Sequence, residues 1–208
     1  NVRALVYYNA FDSQGWLDTV PADVRRAVEV IPGDVRDAER TREAVRDCEV
    51  VFHLAALIGI PYSYVAPRSY YDANVLGTLN VLEAARTHAV TRVVQTSTSE
   101  VYGTACYVPI DEEHPLRPQS PYAASKVAGD QLALSYHRSF GLPVTVVRPF
   151  NAYGPRQSLR AVIPQVIMQL TRGRGPVRLG TVEPTRDFNF VDDIVSGFIA
   201  AAGAERAV

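Results

Sequence analysis

Lysine is almost absent. Of the 21 Lys and Arg residues in the 208-residue chain, twenty are Arg and one, Lys126, is not. Cysteine is scarce too. Cys48 and Cys106 stand far apart, and neither belongs to a Cys/His cluster of metal-holding spacing, so no metal site is expected and both are read as idle or buried thiols. Their scarcity fits a cytoplasmic compartment. Excess charge is missing: the formal net charge is −1 and the Arg residues are scattered, which leaves no electrostatic footprint for nucleic acid. No apolar run approaches the roughly 20 residues needed to span a bilayer, and no signal peptide is visible. Repeats, low-complexity segments and blocks of like charge are absent as well.

What is present is a chain 47% hydrophobic, enough for one soluble globular domain or slightly more. Short β-rich runs (3–7, 27–31, 50–54, 92–98, 144–148) alternate with helical patterns near 37–47, 69–88 and 121–140. The runs are nearly continuous in Val, Ile, Leu and Phe, as in strands buried on both faces. This alternation predicts βαβ units and an α/β fold: a Rossmann-like, doubly wound parallel sheet. After Pro149 the texture changes, with Pro155, Pro164, Gly173, Gly175, Pro176, Gly180 and Pro184 breaking the chain into shorter pieces. Residues 1–148 are therefore expected to form the dinucleotide-binding domain, and 149–208 the start of a smaller substrate-binding lobe interleaved with the sheet. The chain opens at Asn1 in a strand already under way and stops inside a helical pattern, so a segment of a longer protein is expected.

The single lysine stands four residues after Tyr122, in Ser120-Pro121-Tyr122-Ala123-Ala124-Ser125-Lys126. On a helix those positions share a face about 5–6 Å apart. Lys is a compact point charge, whereas Arg is a wide fork with almost no neutral form. An ammonium there is expected to stabilise the Tyr122 phenolate, lowering its pKa from about 10 and making it a general base. Other polar residues fall at strand ends, where ligands bind in such sheets: Asp34 after 27–31, Ala55 and Ala56 after 50–54, Thr98-Ser99-Glu100 after 92–98, and Pro149-Phe150-Asn151 after 144–148.

Taken in order, Gly33-Asp34-Val35, His53-Leu54-Ala55-Ala56, Asn74-Val75-Leu76-Gly77-Thr78, Ser97-Thr98-Ser99-Glu100-Val101-Tyr102-Gly103, Tyr122-x3-Lys126, Arg148-Pro149-Phe150-Asn151-x-Tyr153-Gly154-Pro155 and Arg186-Asp187-Phe188 resemble the extended short-chain dehydrogenase/reductase superfamily, in its nucleotide-sugar epimerase/dehydratase branch. The resemblance implies an enzyme with NAD or NADP as cofactor, NAD the first choice. Asp34 and Val35 would hold the adenine, Leu54, Ala55, Ala56, Thr96 and Pro149 would line the cofactor, and Asn74 would brace the site. Tyr122 would be the base and Lys126 the cofactor-ribose anchor. Thr98, Phe150, Asn151 and Arg186 would contact a nucleotide-sugar substrate. From the residues alone, Asp34 could equally cap the following helix, Asn74 could be an ordinary polar helix residue, and His53 reads as a satisfied core histidine. The family's glycine-rich phosphate loop would lie about two dozen residues before Asn1. The end of the first strand, Tyr7-Tyr8-Asn9-Ala10-Phe11, carries neither the acid of NAD enzymes nor the Arg of NADP enzymes.

Thr98, Ser99 and Glu100 match the Thr-Ser-Glu triplet of GDP-mannose 4,6-dehydratases, in which Glu100 would shuttle the proton for water loss at C6. Pro184-Thr185-Arg186-Asp187-Phe188 looks more like N-acetylglucosamine-nucleotide 4,6-dehydratases. Epimerases and UDP-glucuronate decarboxylases of the same family remain alternatives. The superfamily's habit of pairing two long helices across a two-fold axis implies a homodimer of the full-length protein.

Overall fold

The computed structural model describes residues 1–173 and 175–205; the last three residues of the 149–208 region lie outside them. In chain order the elements are β1 (Val2–Tyr7), α1 (Ala22–Arg26), β2 (Val28–Gly33), α2 (Ala38–Val45), β3 (Val50–His53), α3 (Ile60–Val65), α4 (Pro67–Tyr71), α5 (Gly77–Thr87), β4 (Arg92–Thr96), α6 (Pro121–Phe140), β5 (Val144–Val147), β6 (Asn151–Tyr153), α7 (Val162–Arg172), β7 (Phe188–Phe190) and α8 (Val191–Gly203). Every strand pair is parallel: β1 with β2, β3 with β4, β4 with β5, and β6 with β7. The fold is Rossmann-like, as the strand–helix alternation predicts. It differs from one continuous sheet, because β1 and β3 do not pair among the described residues.

The core lies where α5 and α6 cover β4 and β5, around Leu82, Ala85, Val93, Ala133, Tyr136 and Val144. Adjacent strand residues point to opposite faces. Val93 enters this core, while the neighbouring Arg92 reaches Thr145 Oγ1 and the Ala204 carbonyl at the end of α8. Thus α8 lies on the face opposite α5 and α6, and the sheet is covered on both sides.

Local chemistry sets the helix that matters most. Ser120 caps α6 by accepting the Ala123 N–H at 3.0 Å, Pro121 occupies its first turn, and Gly141 closes it in the left-handed region at φ 68°. The caps fall at the boundaries the sequence pattern predicts. Asp37, and not Asp34, caps α2, accepting the Arg40 N–H at 3.0 Å. The single helical pattern at 69–88 is broken. A π turn at Asp72–Leu76 joins α4 to α5, and such turns bulge a side chain out of ordinary register. Asn74 is the buried residue of this turn.

Candidate active site

β4 ends at Thr96, and the chain then turns through Thr98, whose hydroxyl accepts the Glu100 N–H at 3.2 Å and caps a 3₁₀ turn at Ser99–Val101. Ser99 donates its N–H to the Pro149 carbonyl at 3.1 Å, which ties this turn to the end of β5. Tyr122 and Lys126 project from the first turns of α6 toward the same place, only 7% and 4% exposed.

The electrostatics differ from the sequence-based expectation. Lys126 Nζ donates to the Thr96 carbonyl, and Lys126 does not set the Tyr122 pKa. Burial pushes the phenol above its usual value, and the charge of Glu100 adds to that rise, while the Thr98 hydroxyl pulls it back. Burial has the opposite effect on Lys126, lowering its pKa to about 8, with Asp130 working against the drop. The helix spacing brings the two groups together, but burial of both carries a cost that spacing does not reveal. Only a lysine could respond in this way, because a guanidinium stays charged wherever it is placed.

Asn74 reaches this site from the π turn. Its amide donates to the Leu57 carbonyl at 2.9 Å and to Ser125 Oγ at 2.9 Å, and its oxygen accepts the Leu57 N–H at 2.8 Å. One buried side chain therefore fixes the loop after β3 to the Tyr/Lys helix. His53 is buried close by. Thr78 gives its only hydroxyl proton to the Asn74 carbonyl at 2.6 Å, so His53 Nε2, 3.1 Å from Thr78 Oγ1, must be the donor. Burial and the nearby Lys126 lower the His53 pKa to about 3, so the ring is neutral.

Thr96, Thr98, Glu100, Asn74, Tyr122 and Lys126 are thus brought together. Ser99 stands half-buried on the same turn. Leu54 and Ala55 are exposed at the end of β3, with Ala56 half-buried beside them. Asp34 and Val35 lie after β2, and the Asn80 amide donates to the Val35 and Arg36 carbonyls, both at 3.0 Å. The Asp34 carboxylate is held by Arg36, with Nε at 3.0 Å from both oxygens, and that pairing lowers its pKa. Phe150 stacks on Tyr102, and Asn151 Nδ2 donates to the Asp187 carbonyl at 3.1 Å, next to Arg186. Arg186 is exposed and turned onto the Thr185 carbonyl. Tyr62 and Tyr64 lie on α3 and are exposed, whereas Tyr70 is buried with its ring 6.2 Å from that of Tyr122. Three residues given no role by the sequence, Ser97 and Arg148 within the family-like motifs and Asp130 outside them, form a network beneath Lys126. The signal for Asp130 was present, since it continues the i, i+4 spacing of Tyr122 and Lys126.

The residues present suit a dinucleotide. Small and apolar side chains line the carboxyl end of β3, and Thr96 Oγ1 is buried without a partner among the described residues beside the Tyr/Lys pair. Fold and site together define a Rossmann-like member of the Tyr/Lys class of short-chain dehydrogenases/reductases. The GDP-mannose 4,6 dehydratase family model matches residues 1–207, and the chain belongs to that family. It is similar to dTDP-glucose 4,6-dehydratase of Streptomyces antibioticus, 39% identical over 179 residues that make up 86% of this chain and 53% of that protein. Among solved structures it resembles dTDP-glucose 4,6-dehydratase from Streptomyces venezuelae with NAD and TYD bound (TM-score 0.83, 35% identity, 90% of this chain and 58% of that one). It also resembles UDP-N-acetylglucosamine 4-epimerase from Methanobrevibacter ruminantium in complex with UDP-N-acetylmuramic acid (TM-score 0.87, 32% identity, 94% and 64%). The chain spans about half the length of the curated relatives it matches, 53% in the case of the Streptomyces antibioticus protein.

Proposed function

We propose that the full-length protein is a nucleotide-sugar 4,6-dehydratase with NAD as its cofactor. The observation that carries this reading is the Thr98-Ser99-Glu100 turn. It sets the Glu100 carboxylate close enough to Tyr122 to add to the rise of that phenol's pKa, so a carboxylate and a phenol share one strand end. A 4-epimerase needs only one. A nicotinamide, when bound, would supply a hydride acceptor and a positive charge beside the phenol, and that charge would lower the raised Tyr122 pKa so that the residue can serve as a base. Tyr122 takes the proton of the sugar's C4 hydroxyl as the C4–H hydride leaves, with Thr98 hydrogen-bonding the same oxygen. The resulting 4-keto group acidifies C5–H, and Glu100 removes that proton. Glu100 then returns it to the departing C6 hydroxyl, so water leaves; the Ser99 hydroxyl is too weak an acid for that step. Hydride at C6 and a proton at C5 complete a 4-keto-6-deoxy sugar.

Lys126 holds the ribose side, Thr96, Leu54, Ala55, Ala56 and Pro149 line the cofactor, Asn74 braces it, and Asp34 with Val35 meet the adenine. NAD is favoured over NADP because the similar Streptomyces venezuelae dehydratase has NAD bound. Phe150, Asn151 and Arg186 contact the nucleotide sugar. The division at 148/149 into cofactor domain and substrate region, a homodimeric assembly and a cytoplasmic location complete the reading. The unpaired Cys48 and Cys106 suit a reducing compartment. The 4-epimerase alternative is favoured by the similarity to the epimerase structure. Incubating the full-length protein with candidate nucleotide sugars separates the two: dehydration removes the mass of water, and epimerisation leaves mass unchanged.

A further inference from the structure

The face of α6 that carries Tyr122 and Lys126 carries a third ionisable group one turn on. Asp130 is fully buried and is the only acidic side chain so placed among the described residues. Its Oδ2 accepts the Ser97 hydroxyl at 2.8 Å and Arg148 Nε at 3.0 Å. Ser97 directly precedes Thr98 after β4, and Arg148 directly precedes Pro149 after β5. A second arm of Arg148 donates to the Tyr102 hydroxyl at 3.2 Å, and the Tyr102 ring stacks on Phe150 at 6.5 Å. A buried ion pair is a weak source of stability, because desolvation offsets most of its attraction. Its position is the informative feature, since each of the three elements it joins presents a candidate site residue.

We propose that Asp130 is a positioning residue for the reaction. Its carboxylate holds the Lys126 charge in place one helical turn away and, through Ser97 and Arg148, locks the ends of β4 and β5 to the Tyr/Lys helix. The proposal rests on the dehydrogenase-type reading of Tyr122 and Lys126 given above. The groups around Lys126 leave Asp130 as its counter-charge. His53, from β3, is neutral, Tyr122 is a protonated phenol, and Arg148 is a second cation. Burial pulls the lysine down and Asp130 is the group that opposes it.

The test is a titration of the full-length protein labelled with ¹³C at the lysine ε-carbon, with Lys126 assigned through Lys126→Arg. In Asp130→Asn the Lys126 midpoint should fall by about one pH unit or more, while Asp130→Glu keeps it near the original value. The alkaline limb of turnover should move down with it, a shift that a purely structural defect does not produce. In unsubstituted protein labelled instead with ¹³C at the aspartate carboxyl, with Asp130 assigned through Asp130→Glu, the Asp130 resonance should inflect at the Lys126 midpoint, because coupled groups report one another. An unmoved Lys126 midpoint in folded Asp130→Asn overturns the proposal, as does a turnover profile that stays put while the midpoint moves. If the Asn variant does not fold, a carboxyl resonance flat through the lysine midpoint overturns it. The titrations need no substrate, so a full-length protein that turns over no nucleotide sugar fails the functional reading separately and leaves them to decide this one.

Discussion

At the residue scale, Lys126 is held at a cost to the fold. Its pKa drops from 10.5 to about 8 on burial, so the unfolded chain binds a proton that the folded chain releases between those values. Stability therefore rises with pH from about 8 to 10.5, and below 8 the penalty stands at full size, about 3 kcal/mol. Lys126→Met in the full-length protein should unfold at higher denaturant concentration at pH 7 and have no turnover, and its advantage should shrink as pH climbs from 8 to 10.5. An equal or lower midpoint at pH 7 would count against a buried, charged lysine. His53 has the same sign: its depressed pKa makes the protein lose stability as pH falls from 6.5 toward 3. Tyr122→Phe should cut turnover by roughly 10²–10⁴-fold while leaving the fold intact, measured as product formed per enzyme. Near-normal turnover would remove Tyr122 as the base.

At the element scale, two junctions hold the site in shape. Asn74, on the π turn, makes three hydrogen bonds that join the loop after β3 to α6. Asn74→Ala leaves the Leu57 N–H and carbonyl unpaired, with an expected loss of about 1–3 kcal/mol in denaturant unfolding. Gly103 follows the Ser99–Val101 turn at φ 67°, and a Cβ there would sit 2.1 Å from the Arg117 carbonyl oxygen. Gly103→Ala combines strained backbone with a backbone clash, so a destabilisation of at least about 2 kcal/mol is expected; a change within 0.5 kcal/mol would show that the loop can shift freely. The strands were legible because β5 is an unbroken run of β-branched residues and β4 is centred on Val93 and Val94, and α6 was legible to the residue because its caps are chemical signals. The π turn was not, since apolar spacing runs through Tyr70, Asn74 and Gly77 without a break. Nor was the raised Tyr122 pKa, because spacing reveals a nearby lysine but not how far both groups are removed from water. Asp130 shows the same limit: its spacing puts it on the Tyr122/Lys126 face, but only the packed structure shows that this carboxylate, on a helix that also exposes Gln131 and Ser135, lies beneath the sheet ends.

At the scale of the whole molecule, the parallel strands deliver the site by bringing the ends of β3, β4 and β5 to one edge, with α6 laid across them. Full-length protein should sediment as a dimer at micromolar concentration, with α5 and α6 as the pairing helices; half-buried Val127 and Leu134 give α6 apolar surface beyond its core stripe. A monomer would place those helices against other parts of the same chain. The most direct test of the proposed chemistry is the mass of the product formed when full-length protein is incubated with nucleotide hexoses and N-acetylhexosamines. Oxidation at C4 with Tyr122 as the base, followed by elimination through Glu100, requires a product lighter by one water, carrying a 4-keto group and, in heavy water, deuterium at C5. A product of unchanged mass, or one lighter by carbon dioxide from a nucleotide uronate, would contradict it.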